Sequence, residues 1–362
     1  MKKVALITWH SLENYGSALQ NYALFTILKE KGYNVEVINY VKNAKNNIFY
    51  RLYRNLKRNF TIKTNSYWYR TNRFLNFRKK YLKETTLYSS LEQLSEISNN
   101  YDIFICGSDQ IWSPNRLDYA YFLSFTSKPK ISYAPSIVID EIKKDDLNEI
   151  RKNLNNFRYI SVREQKGKEI LRKIIDKDIE VVLDPTLLLE KENYEKIMRQ
   201  MPINEQYLLC YLIGDRLEHR TLVKKIASKF NLKIVTLPFK VADENFGDII
   251  LKGVGPEEFL DLVQNAKLIC TDSYHGMLLS IVLEKDFYEF PRFLNSDKMS
   301  QNARVNEVIE MFGLKNRLID NIDDVTLDKI DYEKVNAIKK VKQKESINYL
   351  INALKGVEDD RN

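Results

Sequence analysis

Short apolar runs alternate with amphipathic stretches along most of the chain, and this alternation restricts the fold more than any other feature of the sequence. It is typical of α/β proteins, in which helices connect parallel strands. In the first half, the pattern predicts a helix at Ala18–Lys31 and strands at Val4–Thr8, Val35–Tyr40, Tyr101–Cys106, Lys130–Ala134, Tyr159–Val162 and Ile179–Leu183. In the second half, it predicts helices at Glu218–Phe230 and Pro256–Ala266, and strands at Tyr207–Ile213, Lys233–Leu237, Leu268–Thr271 and Phe287–Phe290.

A chain of 362 residues is too long for one ordinary hydrophobic core and suits two domains. The alternation stops near Asp184-Pro185 and then begins again. We therefore predict an N-terminal domain over residues 1–185 and a C-terminal domain over residues 186–320, both doubly wound. A periodic, charged stretch at Tyr332–Leu354 predicts a long surface helix within a C-terminal helical segment, residues 321–362.

The cysteine and histidine content argues against disulfides and against a metal centre. Cys106, Cys210 and Cys270 each lie in an apolar run, which is typical of buried thiols in a reducing cytoplasm. The three histidines are far from one another and from the cysteines, so we expect no metal site and no cofactor.

No apolar run approaches the roughly 20 residues that span a bilayer, and the first run is too short for a signal peptide.

A basic, aromatic insertion at residues 41–83 carries much of the net charge of +8, and no acidic residue lies between Val37 and Lys83. Its simplest interpretation is a set of helices that bury aromatic rings and expose charge. A second interpretation is a surface for anionic lipid headgroups or a pyrophosphate-linked sugar. Nucleic acid binding ranks third, because no nucleic-acid motif accompanies the insertion.

Polar residues follow several predicted strands directly, and ligands of open parallel sheets bind beyond the carboxyl ends of the strands. The loop from His10 to Ser17 contains Asn14 and Gly16, which suit a tight turn before a helix. It has one glycine and so is not a GxGxxG dinucleotide loop. Ordinary helix capping is the competing interpretation.

A second cluster, Gly107–Trp112, follows the strand that ends at Cys106. Ser108, Asp109 and Gln110 are suited to hydrogen bonds with sugar hydroxyls, and Trp112 offers a flat apolar face. The alternative is a helix N-cap at Ser108 or Asp109 above a buried tryptophan.

Two further clusters lie at later strand ends. Thr271–Gly276 combines hydroxyl groups with His275, which is suited to proton transfer near neutral pH, and Gly276 allows a ligand to approach. Arg163 follows the strand Tyr159–Val162, and arginine binds carboxylates and phosphates with two parallel hydrogen bonds. The competing interpretation is a surface ion pair between Arg163 and Glu164, which is a common arrangement.

Taken in order, these clusters resemble the polysaccharide pyruvyl transferase family. The resemblance runs from about Lys3 to Leu318 and rests on the whole ordered set. Its motifs are Asn14-Tyr15-Gly16, Leu19-Gln20, Tyr22-Ala23-Leu24, Gly107-Ser108-Asp109-Gln110-Ile111-Trp112, Tyr133-Ala134, Ser161-Val162-Arg163-Glu164, Leu183-Asp184-Pro185-Thr186-Leu187-Leu188, Gly255-Pro256-Glu257-Glu258-Phe259, Asp272-Ser273-Tyr274-His275-Gly276 and the late Arg304 and Leu314.

The resemblance implies an α/β fold of two Rossmann-like, doubly wound domains that face each other across a cleft, as in GT-B glycosyltransferases. It implies a bacterial, cytoplasmic enzyme that moves a pyruvyl group from phosphoenolpyruvate to a sugar of a capsule, an exopolysaccharide or a precursor, where it forms a ketal. The N-terminal domain would hold the sugar or lipid-linked acceptor, and the C-terminal domain the donor. Arg163 and His275 match functional positions of the family, and Arg304 stands where a basic residue is usual. The insertion at 41–83 departs from the family.

On this interpretation, His275 is the acid–base residue and Asp109 orients or deprotonates the acceptor hydroxyl. Arg163, Arg304 and the helix start after Ser273 would hold the donor. The remaining predicted substrate contacts are Tyr274, Gly276, Asn14, Gly16, Ser108, Gln110 and His10. The rival functions are a nucleotide-sugar glycosyltransferase of the same fold and a non-catalytic, sugar-binding subunit of a membrane-associated assembly.

Overall fold

The computed structural model describes residues 2–10, 13–44, 66–137, 144–294, 301–326 and 328–359. The chain divides into two compact units, which we call unit 1 (residues 1–188 and 344–362) and unit 2 (residues 189–343). Ser11, Leu12 and residues 45–65 of the basic insertion lie outside the described residues. In the described ranges, no helix is both long and apolar enough to cross a membrane.

Unit 1 is built on parallel strands in the order β2-β1-β3-β4, and β5 and β6 form a further parallel pair. An isolated bridge between Ile131 and Tyr159 connects β4 to the start of β5. Its strands are β1 (Lys3–Ile7), β2 (Asn34–Val37), β3 (Ile103–Cys106), β4 (Lys130–Ser132), β5 (Ile160–Val162) and β6 (Ile179–Val181). Its helices are α1 (Tyr15–Glu30), α2 (Ser66–Tyr81), α3 (Leu91–Glu96), α4 (Lys144–Asn155) and α5 (Gln165–Arg172).

Unit 2 contains a five-stranded parallel sheet in the order β11-β10-β7-β8-β9, which is doubly wound. Its strands are β7 (Tyr207–Tyr211), β8 (Lys233–Thr236), β9 (Ile249–Ile250), β10 (Leu268–Thr271) and β11 (Phe287–Glu289). Its helices are α6 (Lys191–Glu195), α7 (Leu217–Phe230), α8 (Pro256–Asn265), α9 (Tyr274–Val282) and α10 (Ala303–Met311).

The last helix, α11 (Tyr332–Asp359), belongs to unit 2 as far as Gln343 and to unit 1 from Lys344. In unit 1, the Ser346 hydroxyl accepts a hydrogen bond from the Leu183 N–H at 2.9 Å, and the Tyr349 hydroxyl donates to the Ser132 carbonyl at 3.0 Å. The C-terminal part of α11 therefore packs against the ends of β4 and β6, which stop at Ser132 and Val181, two residues before the predicted ends.

The strand cores lie where the apolar runs predict them, because these runs form the buried layer of each sheet. Ile103–Cys106 and Leu268–Thr271 are buried throughout. Helix α1 is also buried on almost every side, in keeping with its apolar sequence. Cys106, Cys210 and Cys270 are buried free thiols, as predicted.

Candidate active site

In each sheet, successive strands are added first on one side of the starting strand and then on the other. The point between the two adjacent strands where this direction changes is the switch point, and open α/β sheets bind ligands there. In unit 1, it lies between β1 and β3, and in unit 2 between β7 and β10. The polar clusters predicted after Thr8, after Cys106 and after Thr271 therefore all follow strands that border a switch point.

In unit 2, β10 leads directly into helix α9, whose start is fixed by the side chain of Ser273. The Ser273 hydroxyl accepts a hydrogen bond from the Gly276 N–H at 3.3 Å and so caps the helix. A Cβ atom at Gly276 would lie 2.7 Å from Oγ1 of Thr271, so only glycine fits at this turn without displacing its neighbours. The predicted loop residues therefore form a compact helix start at the end of β10.

Asp272 joins this helix start to the end of β7. Its buried carboxylate accepts hydrogen bonds from the N–H groups of Ile213 and Gly214 at 2.6 and 2.8 Å. Burial alone would raise the pKa of Asp272, but the adjacent His219 ring, the Arg292 charge and the two backbone N–H groups outweigh burial and lower the pKa. Asp272 is thus an ionised anchor of the switch point, a role that the sequence did not suggest.

His275 is the second residue of helix α9, and its side chain is mostly buried. Its ring lies against the ring of Tyr274, with centroids 5.3 Å apart. The guanidinium of Arg304, on helix α10, lies over the ring of Tyr274, 5.2 Å from the ring centroid. The structure therefore brings the predicted residues Ser273, Tyr274, His275 and Arg304 together in one part of unit 2.

Glu289 and Arg292 lie in this candidate site, although the sequence did not predict them. Glu289 pairs with Thr271 across β10 and β11, and Arg292 donates two hydrogen bonds, at 3.1 and 2.6 Å, to the Asp272 carbonyl. With Asp272 and Arg304, they line a small, partly open pocket. The available signal was a single acidic residue inside the apolar run Phe287–Phe290.

In unit 1, the clusters after β1 and β3 interlock. Asn14 caps helix α1 by accepting a hydrogen bond from the Ser17 N–H at 3.1 Å, and Gly16 lies in the first turn of this helix. The Ser17 hydroxyl donates to Asp109 at 2.6 Å, and Asp109 holds a backbone φ of +78°. A non-glycine residue rarely adopts this conformation, and the surrounding contacts hold it in place.

Two interpretations of the Gly107–Trp112 cluster are wrong. Neither Ser108 nor Asp109 caps a helix, because no helix follows them directly. Trp112 is buried: its ring stacks on Phe122 at 5.2 Å and contacts Phe157 edge-on at 5.5 Å. It is a core residue and offers no open face to a sugar. Gln110, by contrast, is half-buried beside Asp109.

Arg163 lies inside unit 1, where two carboxylates neutralise it. It donates to Asp184 at 2.7 Å and to Glu164 at 3.1 Å, and its side chain is only 1% exposed. The Ser108 hydroxyl donates to the same Asp184 carboxylate at 3.0 Å. The structure therefore favours a positioning role at the ends of β3 and β5 for Arg163 and Ser108, over the direct substrate contact that the sequence predicts.

His10 is also built into unit 1. Its Nδ1 lies 3.0 Å from the Thr8 carbonyl, and its Nε2 lies 3.2 Å from the Asn39 side-chain oxygen. Burial lowers the pKa of His10, and the nearby Arg78 charge adds to this effect. This arrangement is typical of a structural histidine with satisfied hydrogen bonds.

Comparison with known proteins identifies both the family and the fold. Residues 14–288 match the profile of the family described as polysaccharide pyruvyl transferase. A search of curated protein sequences found no match. Among solved structures, UDP-GlcNAc 2-epimerase from Neisseria meningitidis, bound to UDP-GlcNAc, is similar, with a TM-score of 0.52, 10% identity and coverage of 99% of each chain. The UDP-GlcNAc 2-epimerase from Methanocaldococcus jannaschii, in complex with UDP-GlcNAc and UDP, gives 0.50, 14% and coverage of 98% and 99%.

At these identities, the solved structures establish the fold alone, and they confirm the predicted GT-B-like α/β architecture of two Rossmann-like units. The family profile covers well over half of the chain, including the Asp272–Gly276 helix start. The chain belongs to the polysaccharide pyruvyl transferase family.

Proposed function

We propose that this protein transfers a pyruvyl group from phosphoenolpyruvate to a sugar of a surface polysaccharide or its precursor, and that the product is a pyruvate ketal. The observation that carries this proposal is the grouping of His275, the start of helix α9 and Arg304 at the switch point of unit 2, in a chain of this family. This grouping combines a proton-transfer residue with positive partners for an anionic donor.

Phosphoenolpyruvate carries a carboxylate and a phosphate, and each needs N–H or cationic partners. The N-terminal turn of helix α9 supplies backbone N–H groups and the positive end of the helix dipole. Arg304 adds a guanidinium beside Tyr274. These groups belong to unit 2, and Arg163 is not needed in the set because its charge is already neutralised.

Ketal formation releases one proton from each of two sugar hydroxyls. One of these protons is balanced by the proton added to the methylene carbon, and the other leaves with the inorganic phosphate. A proton is added to the methylene carbon of the enol, and the electron pair of the double bond forms the new C–H bond. A sugar hydroxyl attacks the adjacent carbon and loses its proton, phosphate leaves with the C–O bonding pair, and a second hydroxyl closes the ring and loses its proton. The products are the ketal and inorganic phosphate. We assign proton transfer at the reacting hydroxyl to His275.

Phosphoenolpyruvate is expected to raise the melting temperature of the protein, because a ligand that binds the native state alone stabilises it by mass action. Thermal unfolding should be followed with phosphoenolpyruvate, with pyruvate and with a panel of nucleotide sugars. Stabilisation by a nucleotide sugar without any by phosphoenolpyruvate would favour the rival function, a glycosyltransferase of the same fold.

The reaction itself is tested by mass spectrometry of lipid-linked or nitrophenyl sugars after incubation with phosphoenolpyruvate. A pyruvyl ketal adds a small acidic group to the acceptor, whereas glycosylation adds a whole sugar. Binding of both donors with turnover of neither would instead support a sugar-binding subunit.

We further propose that the enzyme works at the cytoplasmic face of a membrane, docked through one face of helix α2. Trp68, Tyr69 and Leu75 on this helix are 62%, 51% and 39% exposed, and Lys79 and Lys80 are exposed beside them. Exposed aromatic rings beside lysines suit the interface of an anionic bilayer. The opposite face is anchored: Phe77 is buried, and its ring contacts the ring of Tyr22.

Reversing both charges in Lys79→Glu/Lys80→Glu is expected to weaken binding to phosphatidylglycerol vesicles at least about tenfold at low salt, because each basic residue near the surface contributes about 1 kcal/mol. Co-sedimentation with vesicles measures the effect. The matched control is Lys224→Glu/Lys225→Glu on helix α7, which makes the same change in net charge among exposed residues of unit 2. Equal binding by wild type and both variants would contradict docking through α2.

A further inference from the structure

Glu289 has an unusual environment for a carboxyl group. It ends strand β11, it is fully buried, and it faces the partly open pocket that Asp272, Arg292 and Arg304 also line. Among the residues that the structure describes, neither oxygen of its carboxyl group has a hydrogen-bond partner. A buried polar group without a partner is rare and costly in a native protein, so this one calls for a functional explanation.

The surroundings keep this carboxyl group neutral. Burial raises the pKa of Glu289 well above its ordinary value, the charge of Asp272 raises it further, and Arg292 and Arg304 oppose the effect without cancelling it. The segment Lys315–Arg317 packs against β11, and its charged groups pair with residues other than Glu289. Arg317 lies 3.8 Å from Asp286, and Lys315 pairs with Glu310 at 3.2 Å. Helix α9, which packs against β11, adds the titratable groups of Tyr274 and His275, and β10 adds the thiol of Cys270.

The protonation of Glu289 decides what the pocket can bind. The guanidinium groups of Arg292 and Arg304 and the ionised carboxylate of Asp272 line the pocket. An ionised Glu289 would add a second negative charge beside Asp272 and would repel an anion. A neutral carboxyl group instead offers an O–H donor, which is the group that an anionic oxygen needs.

We propose that this pocket binds one anionic group of the donor, a carboxylate or a phosphate, and that the Glu289 carboxyl group, carrying a proton, donates a hydrogen bond to it. Arg292 and Arg304 supply the charge, and Asn302 fixes the rim by exchanging hydrogen bonds with the backbone of Phe293 in both directions, at 3.3 and 2.8 Å. The identification of phosphoenolpyruvate as the source of the anion rests on the proposed function. The inference that the pocket binds an anion is independent of the proposed function.

Infrared difference spectroscopy tests the proposal directly, because a protonated carboxyl group has a carbonyl-stretch band that a carboxylate lacks. Wild-type protein at pH 7.5 is expected to show this band, and Glu289→Gln is expected to lose it. Addition of inorganic phosphate, pyruvate or phosphoenolpyruvate to the wild type should shift the band as the new hydrogen bond forms. Glu310→Gln, which removes an exposed carboxylate on helix α10, is the control and should leave the band unchanged.

The ligands separate the possible sources of the anion. A shift with phosphate assigns the pocket to the phosphate group, and a shift with pyruvate assigns it to the carboxylate group. No shift with any of the three ligands, or the same band in Glu289→Gln, would overturn the proposal. A shift with phosphoenolpyruvate together with no pyruvylated product from any acceptor would sink the proposed function and leave the pocket intact. Formation of a pyruvylated product together with an unshifted band would overturn the anion pocket and leave the proposed function intact.

Affinity and stability provide two further readouts. Glu289→Ala should weaken phosphoenolpyruvate binding about tenfold or more, because a hydrogen bond to a charged group is lost, whereas Glu289→Gln keeps an N–H donor and most of the affinity.

The raised pKa of Glu289 in the folded state stabilises the fold fully below the pKa of the unfolded state, about 4.3, and this stabilisation is lost as pH rises through the folded-state pKa. The melting temperature of Glu289→Gln, measured relative to that of the wild type at the same pH, should therefore increase as pH rises from 4 to 8. A constant difference would show that Glu289 is ionised in the native protein.

Discussion

Replacement of His275 by alanine is expected to lower kcat by on the order of 10²-fold or more, because proton transfer to or from a reacting group loses its positioned side chain. His275→Gln should be impaired as well, since an amide donates and accepts hydrogen bonds but does not exchange a proton at neutral pH. Steady-state kinetics with phosphoenolpyruvate and an acceptor sugar that the wild-type enzyme pyruvylates measures both effects.

The same preparations must be checked for stability, because His275 is mostly buried and packs against Tyr274. A residue with a purely structural role would lower the melting temperature in both variants and leave turnover per folded molecule nearly unchanged. Near-normal kcat in a folded Gln variant would remove His275 from the chemistry.

Replacement of Arg163 by methionine is expected to cost about 3–5 kcal/mol of unfolding free energy, because it leaves the carboxylates of Asp184 and Glu164 buried without their cation. Urea denaturation measures this cost. Arg163→Lys should lose less, since it keeps the charge, but a point donor does not replace a guanidinium that contacts both carboxylates.

The exposed pair of Lys233 and Asp248 in unit 2 is a suitable control, because Lys233→Met should cost less than about 1 kcal/mol. The opposite pattern for Arg163→Met, near-normal stability with lost binding of phosphoenolpyruvate, would restore the substrate contact that the family resemblance implies.

The sequence predicts the cores of the strands well and their ends less well. An apolar run such as Ile103–Cys106 is buried on both faces of a parallel sheet, so its composition is sufficient to identify it. Just beyond β6, the N–H of Leu183 donates to Ser346, which lies far away in the sequence. Contacts of this kind are invisible to any local pattern.

Part of the candidate site is predictable from the sequence and part of it is not. Ser273, Tyr274, His275 and Gly276 are adjacent in sequence, so their grouping can be predicted. Glu289 was missed because a single glutamate in an apolar run gives no sign of its neighbours.

Strand pairing between β10 and β11 brings Glu289 beside the end of β10, and helix α10 adds Arg304. The error at Trp112 has a similar origin, because its burial depends on Phe122 and Phe157 and not on the adjacent Gly107–Gln110.

The passage of helix α11 from one unit to the other has a consequence for synthesis on the ribosome. Unit 2 is continuous in sequence, whereas unit 1 needs residues 344–362, where Leu350, Ala353 and Leu354 are fully buried. A nascent chain therefore contains all of unit 2 before it contains the last part of unit 1. Domains usually fold in the order in which they emerge, but here the unit that begins first is completed last. A chain that terminates soon after Gln343 would keep the pocket of Glu289 and Arg304 and lose the partners of Leu183 and Ser132.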